Sequence, residues 1–443
     1  MQVMKWSVIA LAVAAGTTQM AVANQQAESK GFVEDSSLTL LNRNFYFNRD
    51  FKHGAAGNTT SDGDRKGYRE EWAHGVMAEY ASGFTQGTVG FGVDAYGYLG
   101  LKLDTGKGRT GLGLLPRDSD GDIPDDYSEA GGAVKMRVSS TVLSYGNMRT
   151  AAPVFATSDS RLLPETATGF HLTSEEIENL SLEAGHFTAY NLRNSTNHDD
   201  ELLLNYGGNE IGKTIDFAGG YFKGVENLTL GLYASEFEDT WRQYYGNVNY
   251  NIPLAEAQAL NLDFNIYRTS DTGDELQGDI SNTIWSLAGA YSLGAHTFTL
   301  AYQRVHGDTP FDYVGGDSIF VANSVQISDF NAPGEKSWQA RYDLNMAEYG
   351  VPGLSFMARY IKGSDADGSD ADAAGGYAYY NGVTDGDEHE TNVEVKYVLQ
   401  EGPAKDLSFR LRQAYYRADS DLNNVVSDLN DTRLIIQYPL NIL

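Results

Sequence analysis

Apolar and polar residues alternate along much of this chain, which is the pattern of β-strands whose two faces meet different surroundings. Between positions 335 and 344, Trp338, Ala340 and Tyr342 lie on one face and Arg341 lies on the other. The same alternation recurs further along the chain, at 354–360, 392–399 and 407–412. One apolar face and one strongly polar face in each segment predict an all-β protein.

The connections between these segments alternate between short and long. Short links lie at 82–86 and 293–295, whereas the long links lie at 50–68, 100–130, 147–168, 307–334 and 363–389. A soluble β-sandwich also has alternating strands, but a compact soluble domain rarely carries so many long loops. Short periplasmic turns and long outer loops are typical of transmembrane barrels. We therefore predict a transmembrane antiparallel β-barrel.

The strand count must be even, because both termini of such a barrel lie on the periplasmic side. A first reading gives about 19 candidate strands, and one of them, Leu202 to Tyr206, would put the acidic loops on the wrong side. We assign that piece to a long outer loop, which leaves about 18 strands, enough to enclose an aqueous channel. The last strand is predicted at 433–443, with Leu443 where an outer-membrane assembly signal usually ends in Phe.

The N-terminus has the pattern of a secretory signal peptide. Lys5 precedes a short apolar run at 6–16, and Ala21-Val22-Ala23 matches a cleavage site. The apolar run is shorter than the roughly 20 residues of a spanning helix, which disfavours a membrane anchor. We predict a signal peptide at 1–23 and a barrel at 24–443. About a dozen residues separate the predicted cleavage site from the first strand near Ser37, too few for the plug of an active transporter.

Composition narrows the possible functions. The chain has 28 Tyr residues, which suit the aromatic girdles of a barrel, and no Cys, so it folds without disulfides. Its formal net charge of −28 excludes general nucleic-acid binding by electrostatic attraction.

Positive charges nevertheless line the polar faces of the last predicted strands. They are Arg341, Arg359, Lys396, Arg410, Arg412 and Arg433. Arginine recognises carboxylates through paired hydrogen bonds, and a row of such weak sites lets a carboxylate move by exchange. Closure of the barrel would add Arg43 and Arg49, although Phe45 and Phe47 leave the register of the first strand open. The alternative is that Glu394 and Asp343 pair with these cations and only hold the wall together.

Two long loops carry opposite charges. The loop at 307–334 contains Asp308, Asp312, Asp317 and Asp329 together with Tyr313, Ser318 and Ser324, whereas the loop at 147–168 contains Arg149 and Arg161. If both loops fold inwards, the narrow point has an acidic and a basic side, which suits arginine or lysine. The alternative is that the loop acids only face solvent.

Other arrangements of reactive residues are weak. Acidic stretches at 118–122 and 365–372 resemble parts of a calcium loop but lack the complete spacing, so calcium in the outer loops is a minor alternative. His186, Asp239 and Ser318 have no nucleophile elbow to support a hydrolytic triad. We predict no cofactor, no metal centre and no enzymatic activity.

Several blocks of sequence carry a resemblance to a known family. They are GFVEDSS (31–37), FNRD (47–50), SGFTQGTVGFGVD (82–94), GDISNT (278–283), AHTFTLAYQ (295–303) and PGEKSWQARY (333–342). Through these blocks the chain resembles the OprD family of substrate-specific outer-membrane porins over its whole length.

The resemblance implies an 18-stranded barrel whose long outer loops fold into the lumen, beside a basic ladder. It implies passive uptake of small carboxylate-bearing solutes, and close relatives in the family favour basic amino acids and small peptides and admit carbapenem antibiotics. Matched by motif, the ladder falls on Arg49, Arg161, Lys396, Arg410, Arg412 and Arg433. The contacts of the narrow region fall on Tyr206, Tyr313, Asp317, Ser324 and Asp329.

Two departures from the family pattern bear on the solute. The loop after Tyr313 lacks a Gly-rich insertion before Gly315, and the loops at 100–130 and 363–389 are more acidic. A less selective porin is therefore the main alternative, and a hydrolase on a barrel scaffold is a remote one. We expect a Gram-negative outer-membrane location among lipids and lipopolysaccharide. The oligomeric state is expected to be a monomer or a weak trimer.

Overall fold

The computed structural model describes residues 24–53, 66–198, 200–208 and 212–443. The predicted signal peptide at 1–23 lies outside these described residues. Within the described part of the chain, no helix is long and apolar enough to cross a membrane.

Antiparallel strands form nearly all of the regular structure. They are β1 (Ser37–Phe51), β2 (Tyr68–Ala81), β3 (Val89–Asp104), β4 (Asp126–Val138), β5 (Thr141–Met148), β6 (Ala151–Ala152), β7 (Phe155–Ala156), β8 (Thr166–Ile177), β9 (Leu180–Asn191), β10 (Ile215–Val225), β11 (Leu228–Phe237), β12 (Trp241–Ala255), β13 (Gln258–Asp271), β14 (Ser281–Leu293), β15 (His296–His306), β16 (Lys336–Asn345), β17 (Leu354–Ala366), β18 (Gly386–Val398), β19 (Ser408–Ala418) and β20 (Leu429–Asn441). Three short 3₁₀ helices lie at Met346–Tyr349, Ala378–Tyr380 and Leu422–Asn424.

The sheet closes on itself. Each of its 18 strands pairs with the next along the chain, and β20 pairs with β1, so the barrel has no free edge. The strands β6 and β7 stand apart as a two-stranded hairpin in the loop between β5 and β8. The predicted antiparallel barrel of about 18 strands is therefore confirmed.

Side chains alternate between the two surfaces of the wall. The outer surface is a band of exposed large apolar residues, among them Leu232 (73% exposed), Leu300 (69%) and Trp338 (63%). Exposed apolar side chains in this number match a surface that lipid covers. The residues at the alternate positions of each strand face the lumen.

Two details of the predicted strand boundaries can be compared with the structure. Leu202 to Tyr206 lies outside the barrel strands, as predicted, and contributes only an isolated bridge between Leu204 and Val314. The predicted bounds of the last strand, 433–443, were wrong, because Leu429 already pairs with Phe51 of β1. The strand β20 therefore begins four residues earlier and ends at Asn441.

Long outer loops pack against residues of the barrel wall. We name them L2 (105–125), L3 (149–165), L4 (192–214), L7 (307–335) and L8 (367–385), of which L4 is described except at 199 and 209–211. In one apolar cluster, Leu112 and Leu114 of L2 and Leu162 of L3 pack against Phe45 and Phe47 of β1. In a second cluster, Phe155 of L3, Leu202 of L4 and Phe311 of L7 pack against aromatic residues of the wall. Burial of these side chains holds the loops inside the barrel.

Candidate functional site

Positive charges face one another across neighbouring strands on one side of the lumen. The strand register places Arg341 opposite Arg359, Lys396 opposite Arg410 and Arg412 opposite Arg433. Like charges directly opposite each other in a sheet are destabilising by about 0.2–1 kcal/mol per pair. Three such pairs in succession are therefore a cost to the fold of the wall.

Shared carboxylates offset part of this repulsion. Glu394 lies 3.4 Å from Nε of Arg410 and 3.1 Å from Nε of Arg412. Asp431 in turn lies 2.9 Å from Arg49 and 2.7 Å from Arg433. Because each carboxylate serves two guanidinium groups, the row keeps an excess of positive charge.

Some cations of the row form no ion pair with a carboxylate within the described residues, although acidic residues lie near enough to interact with them. Lys396 forms neither an ion pair nor a side-chain hydrogen bond there, and Arg359 donates only to the amide oxygen of Asn392, at 2.6 Å. Arg161 donates to the backbone oxygens of Leu112 (3.0 Å) and Ser160 (3.1 Å) and to no carboxylate. These groups keep the charge that a carboxylate in the lumen could meet.

Arg161 reaches this row from L3. Arg43 of β1 anchors the loop, since its guanidinium group binds Asp159 at 2.7 Å and the backbone oxygen of Leu162 at 3.1 Å. The side chain of Arg161 then lies over the ring of Phe47. The structure thus brings Arg161 together with Arg49 and Arg433, which approach the same ring.

The acidic side of the lumen is built around Asp329 of L7. Its Oδ2 accepts hydrogen bonds from the hydroxyls of Tyr206 (2.7 Å) and Tyr313 (2.8 Å), and its Oδ1 accepts one from Ser324 (2.6 Å). Asp329 as a residue is only partly buried. Four of the five predicted contacts of the narrow region therefore form one hydrogen-bonded group.

Asp312 holds this group in place from behind. Its Oδ1 accepts from the backbone N–H groups of Tyr313 (2.7 Å), Tyr206 (3.1 Å) and Asn205 (3.1 Å), so it joins L7 to L4. Asp312 is buried, and burial raises the pKa of its carboxyl to about 6, against the opposing effect of these hydrogen bonds.

L7 also connects the acidic side with the basic row. The side-chain amide of Gln326 donates to Asp431 at 2.8 Å, and its backbone oxygen accepts from Arg433 at 3.0 Å. Gln326 lies three positions before Asp329. One short segment of L7 therefore spans from the ladder to the acidic group.

Asp317 lies apart from the other predicted contacts. Its backbone N–H donates to the oxygen of Ala156 at 3.3 Å, so it belongs to the junction of L3 and L7, and its side chain is exposed. At this junction Glu165 accepts from Tyr190 at 2.6 Å and pairs with Arg193 at 2.5 Å. A direct role for Asp317 in binding a solute stays a prediction.

The weaker sequence patterns do not come together in the structure. His186 contacts Asp216 on the outer surface, whereas the Ser318 hydroxyl is buried and bonds the backbone of Ala156 and Val314. In the acidic stretch of L2, Asp122 pairs with Lys107 at 3.0 Å. The described part of the chain contains no group of three or more His, Cys, Asp or Glu residues arranged to hold a metal ion.

Sequence reasoning missed three residues that organise the site, namely Phe47, Glu71 and Asp431. Asp431 was detectable, because it shares the face of Arg433 two positions away on one strand. Phe47 likewise shares the face of Arg49 two positions away, but its contact with Arg161, and the contacts of Glu71, are with loops distant in sequence. Only the inward folding of L2 and L3 gives them a role.

Comparisons with known proteins agree with this architecture. The family model described as "outer membrane porin, OprD family" matches residues 30–442. Porin D of Pseudomonas aeruginosa is 59% identical over 457 aligned residues, covering 100% of both chains. The crystal structure of Pseudomonas aeruginosa OprD is 56% identical, covers 96% of this chain and 100% of its own, and gives a TM-score of 0.81. Pseudomonas aeruginosa OpdK, solved with vanillate, is 35% identical with a TM-score of 0.81 over 93% of this chain and 100% of its own.

Proposed function

Because this chain belongs to the OprD family of outer membrane porins, we propose that it is a passive channel selective for small carboxylate-bearing solutes, above all basic amino acids and small peptides. The protein is a channel of a Gram-negative outer membrane. The proposal concerns what passes through it. Export by the signal peptide at 1–23, and contact of the outer band with lipid and lipopolysaccharide, belong to the same proposal.

The observation that carries the proposal is the pairing of a basic row with an acidic group across L7. The wall retains three like-charged cross-strand pairs although each costs stability. Such a cost is common where binding requires it. A carboxylate can exchange along Arg412, Arg410 and Lys396 without being trapped at any one of them.

A basic amino acid carries a second group that this lumen can recognise. While its carboxylate meets the ladder, its side-chain cation can approach the partly exposed carboxylate of Asp329. The hydroxyls of Tyr206 and Tyr313 fix that carboxylate in position. A solute with both charges therefore makes favourable electrostatic contacts on both sides of the lumen, whereas a neutral sugar makes them on neither side.

Relatives support a carboxylate as the cargo. The OpdK structure contains vanillate, which is an aromatic carboxylate. Carbapenem antibiotics also carry a carboxylate, and we include them among the solutes of this channel on the family resemblance.

A less selective porin is the competing function, and one observation favours it. Asp431, Glu394 and Asp343 each hold an arginine within 3.4 Å or less, as expected if the cations chiefly stabilise the wall. In that case the ladder would bias ion flow by charge without recognising a particular solute.

Single-channel recording with arginine, glutamate and glucose tests the proposal. We expect arginine to interrupt the current of the wild-type channel and glucose to leave it unchanged. Arg410→Ala and Asp329→Ala should each weaken arginine block by about tenfold, the value of one charge-assisted contact. Arg242→Ala and Asp216→Ala are matched controls, because both side chains are exposed on the outer surface.

The controls should retain wild-type block. If all three solutes pass equally, selectivity is wrong and the general porin is correct. Hydrolysis of an ester by the purified protein that disappears in Ser318→Ala would instead support an enzyme.

A further inference from the structure

Three guanidinium groups converge on a single buried ring. The Cζ atoms of Arg433, Arg161 and Arg49 lie 4.5, 5.3 and 5.5 Å from the centroid of Phe47. All three distances fall within the roughly 6 Å over which a cation is attracted to an aromatic face. The cations come from β20, L3 and β1, so the ring is a meeting point of three separate elements.

The position of Phe47 follows from the sheet register. It lies directly opposite Arg433 in the pairing of β1 with β20. Its side chain is 0% exposed, packed in the apolar cluster with Leu112, Leu114 and Leu162. A solute in the lumen therefore does not touch the ring, and any effect of Phe47 on the solute acts through the arginines.

The three cations have too few carboxylates to hold them. Arg49 and Arg433 share Asp431, and Arg161 forms no ion pair within the described residues. An additional acid beside Arg161 would hold its side chain but would also occupy its charge. An aromatic ring attracts the guanidinium group through its negative face while leaving the N–H donors at its edge free.

We infer that Phe47 is a positioning residue that holds Arg161 in the ladder with its charge available to a carboxylate in the lumen. This inference rests on the proposed function, because it assumes that the ladder binds the carboxylate of the solute. Arg161 depends on the ring more than its neighbours do, since Arg433 and Arg49 are also bonded to Asp431. The other bonds of Arg161 go to the neutral oxygens of Leu112 and Ser160.

The test compares arginine with agmatine, which is arginine without its carboxylate. Phe47→Leu keeps an apolar side chain but removes the ring. Phe45→Leu is the matched control, because Phe45 is a buried residue of the same strand face that has no cation over its ring among the described residues. Replacement of Phe47 by trifluorophenylalanine keeps the shape and weakens the negative face, so it serves even if Phe47→Leu fails to assemble.

We expect the dissociation constant for arginine block to rise about 5- to 10-fold in Phe47→Leu and to rise measurably in the fluorinated channel, in line with the loss of cation–π attraction. Agmatine block should stay at the wild-type value in both, and Phe45→Leu should resemble wild type. Equal loss of arginine and agmatine block, or wild-type arginine block in both Phe47 variants, would overturn the inference.

These outcomes separate the inference from the proposed function. If wild-type channels bind arginine no better than agmatine, the ladder does not read carboxylates and the proposed function fails with the inference. If wild type prefers arginine and both Phe47 variants prefer it to the same degree, only the role of Phe47 is wrong.

Discussion

The carboxylate of Glu71 fixes the inward fold of L2 and, through it, the position of Arg161. Glu71 is 0% exposed on β2, and its Oε1 accepts from the Thr110 hydroxyl (2.9 Å) and from the N–H groups of Gly111 (2.7 Å) and Leu112 (3.0 Å). Its Oε2 accepts from the N–H of Leu114 at 2.8 Å. We predict that Glu71→Gln releases this turn without unfolding the barrel.

The size of the effect on the opening of L2 follows from the four donors that Glu71 accepts from. A glutamine can place its oxygen at the position of Oε1, but its NH₂ then faces the N–H of Leu114. That buried donor loses its acceptor, which costs about 1–3 kcal/mol, and the other bonds lose the strength that a charged acceptor gives. Local opening of L2 should become easier by about 2–4 kcal/mol in total.

Amide hydrogen exchange in detergent measures this opening directly. A change of about 2–4 kcal/mol corresponds to exchange about 30- to 1,000-fold faster at Gly111, Leu112 and Leu114. Glu79→Gln is the matched control, because Glu79 lies on the same face of the same strand and accepts from Tyr98 instead. Arginine block should also weaken, since Arg161 donates to the oxygen of Leu112.

Unchanged protection of the three amides in Glu71→Gln would refute the reasoning, because the carboxylate would then contribute nothing to the turn. Equal loss of protection in Glu79→Gln would refute it too, since the effect would come from the strand as a whole.

Three further predictions concern other parts of the lumen. Gly315→Ala should weaken the contact of L3 with L7 and widen the spread of single-channel conductances, because Gly315 has φ +81° and an added Cβ would lie 2.6 Å from the oxygen of Ala156; a single wild-type conductance would contradict this. Asp312, with its pKa raised to about 6, favours the folded state more as the pH falls from about 6 to about 4. The thermal midpoint of wild type should therefore rise relative to Asp312→Asn over that range, and a constant difference would exclude the effect. Lys396→Gln removes a like charge opposite Arg410, so it should stabilise the barrel by about 0.2–1 kcal/mol in denaturant titration while weakening arginine block; a loss of stability would be the contrary result.

The wall of this barrel was predictable from the sequence because its physical cause is local. The alternation of apolar and polar residues follows from the two-residue period of a strand. The even number of strands follows from closure of the barrel and from the side on which the termini lie. Both apply without knowledge of any distant contact. The same reasoning removed Leu202 to Tyr206 from the wall, and the structure places that piece in L4.

The interior was less predictable because the loops change the surroundings of the lumen face. A water-filled lumen favours polar side chains, so the sequence left open whether Phe45 and Phe47 face the lumen or the lipid. In the structure L2 and L3 bring Leu112 and Leu162 against these rings, so part of the lumen wall is an apolar core. No local pattern shows which loop will cover which strand.

The acidic contacts illustrate the same limit. Tyr206, Tyr313 and Ser324 were predicted by resemblance, but their convergence on Asp329 depends on Asp312 joining L4 to L7. Asp317 carried the same resemblance and lies at another junction.

The ladder shows why stability and selectivity call for different charge arrangements in one wall. If every arginine of the ladder had its own carboxylate, the wall would be more stable, but a solute would meet an electrically neutral surface. In this protein Glu394 and Asp431 each serve two arginines, which limits repulsion while leaving positive charge for the lumen. Lys396, Arg359 and Arg161, which form no ion pair among the described residues, add to this unpaired positive charge. Sharing of carboxylates thus explains how a chain with a net charge of −28 can present a basic path to a carboxylate.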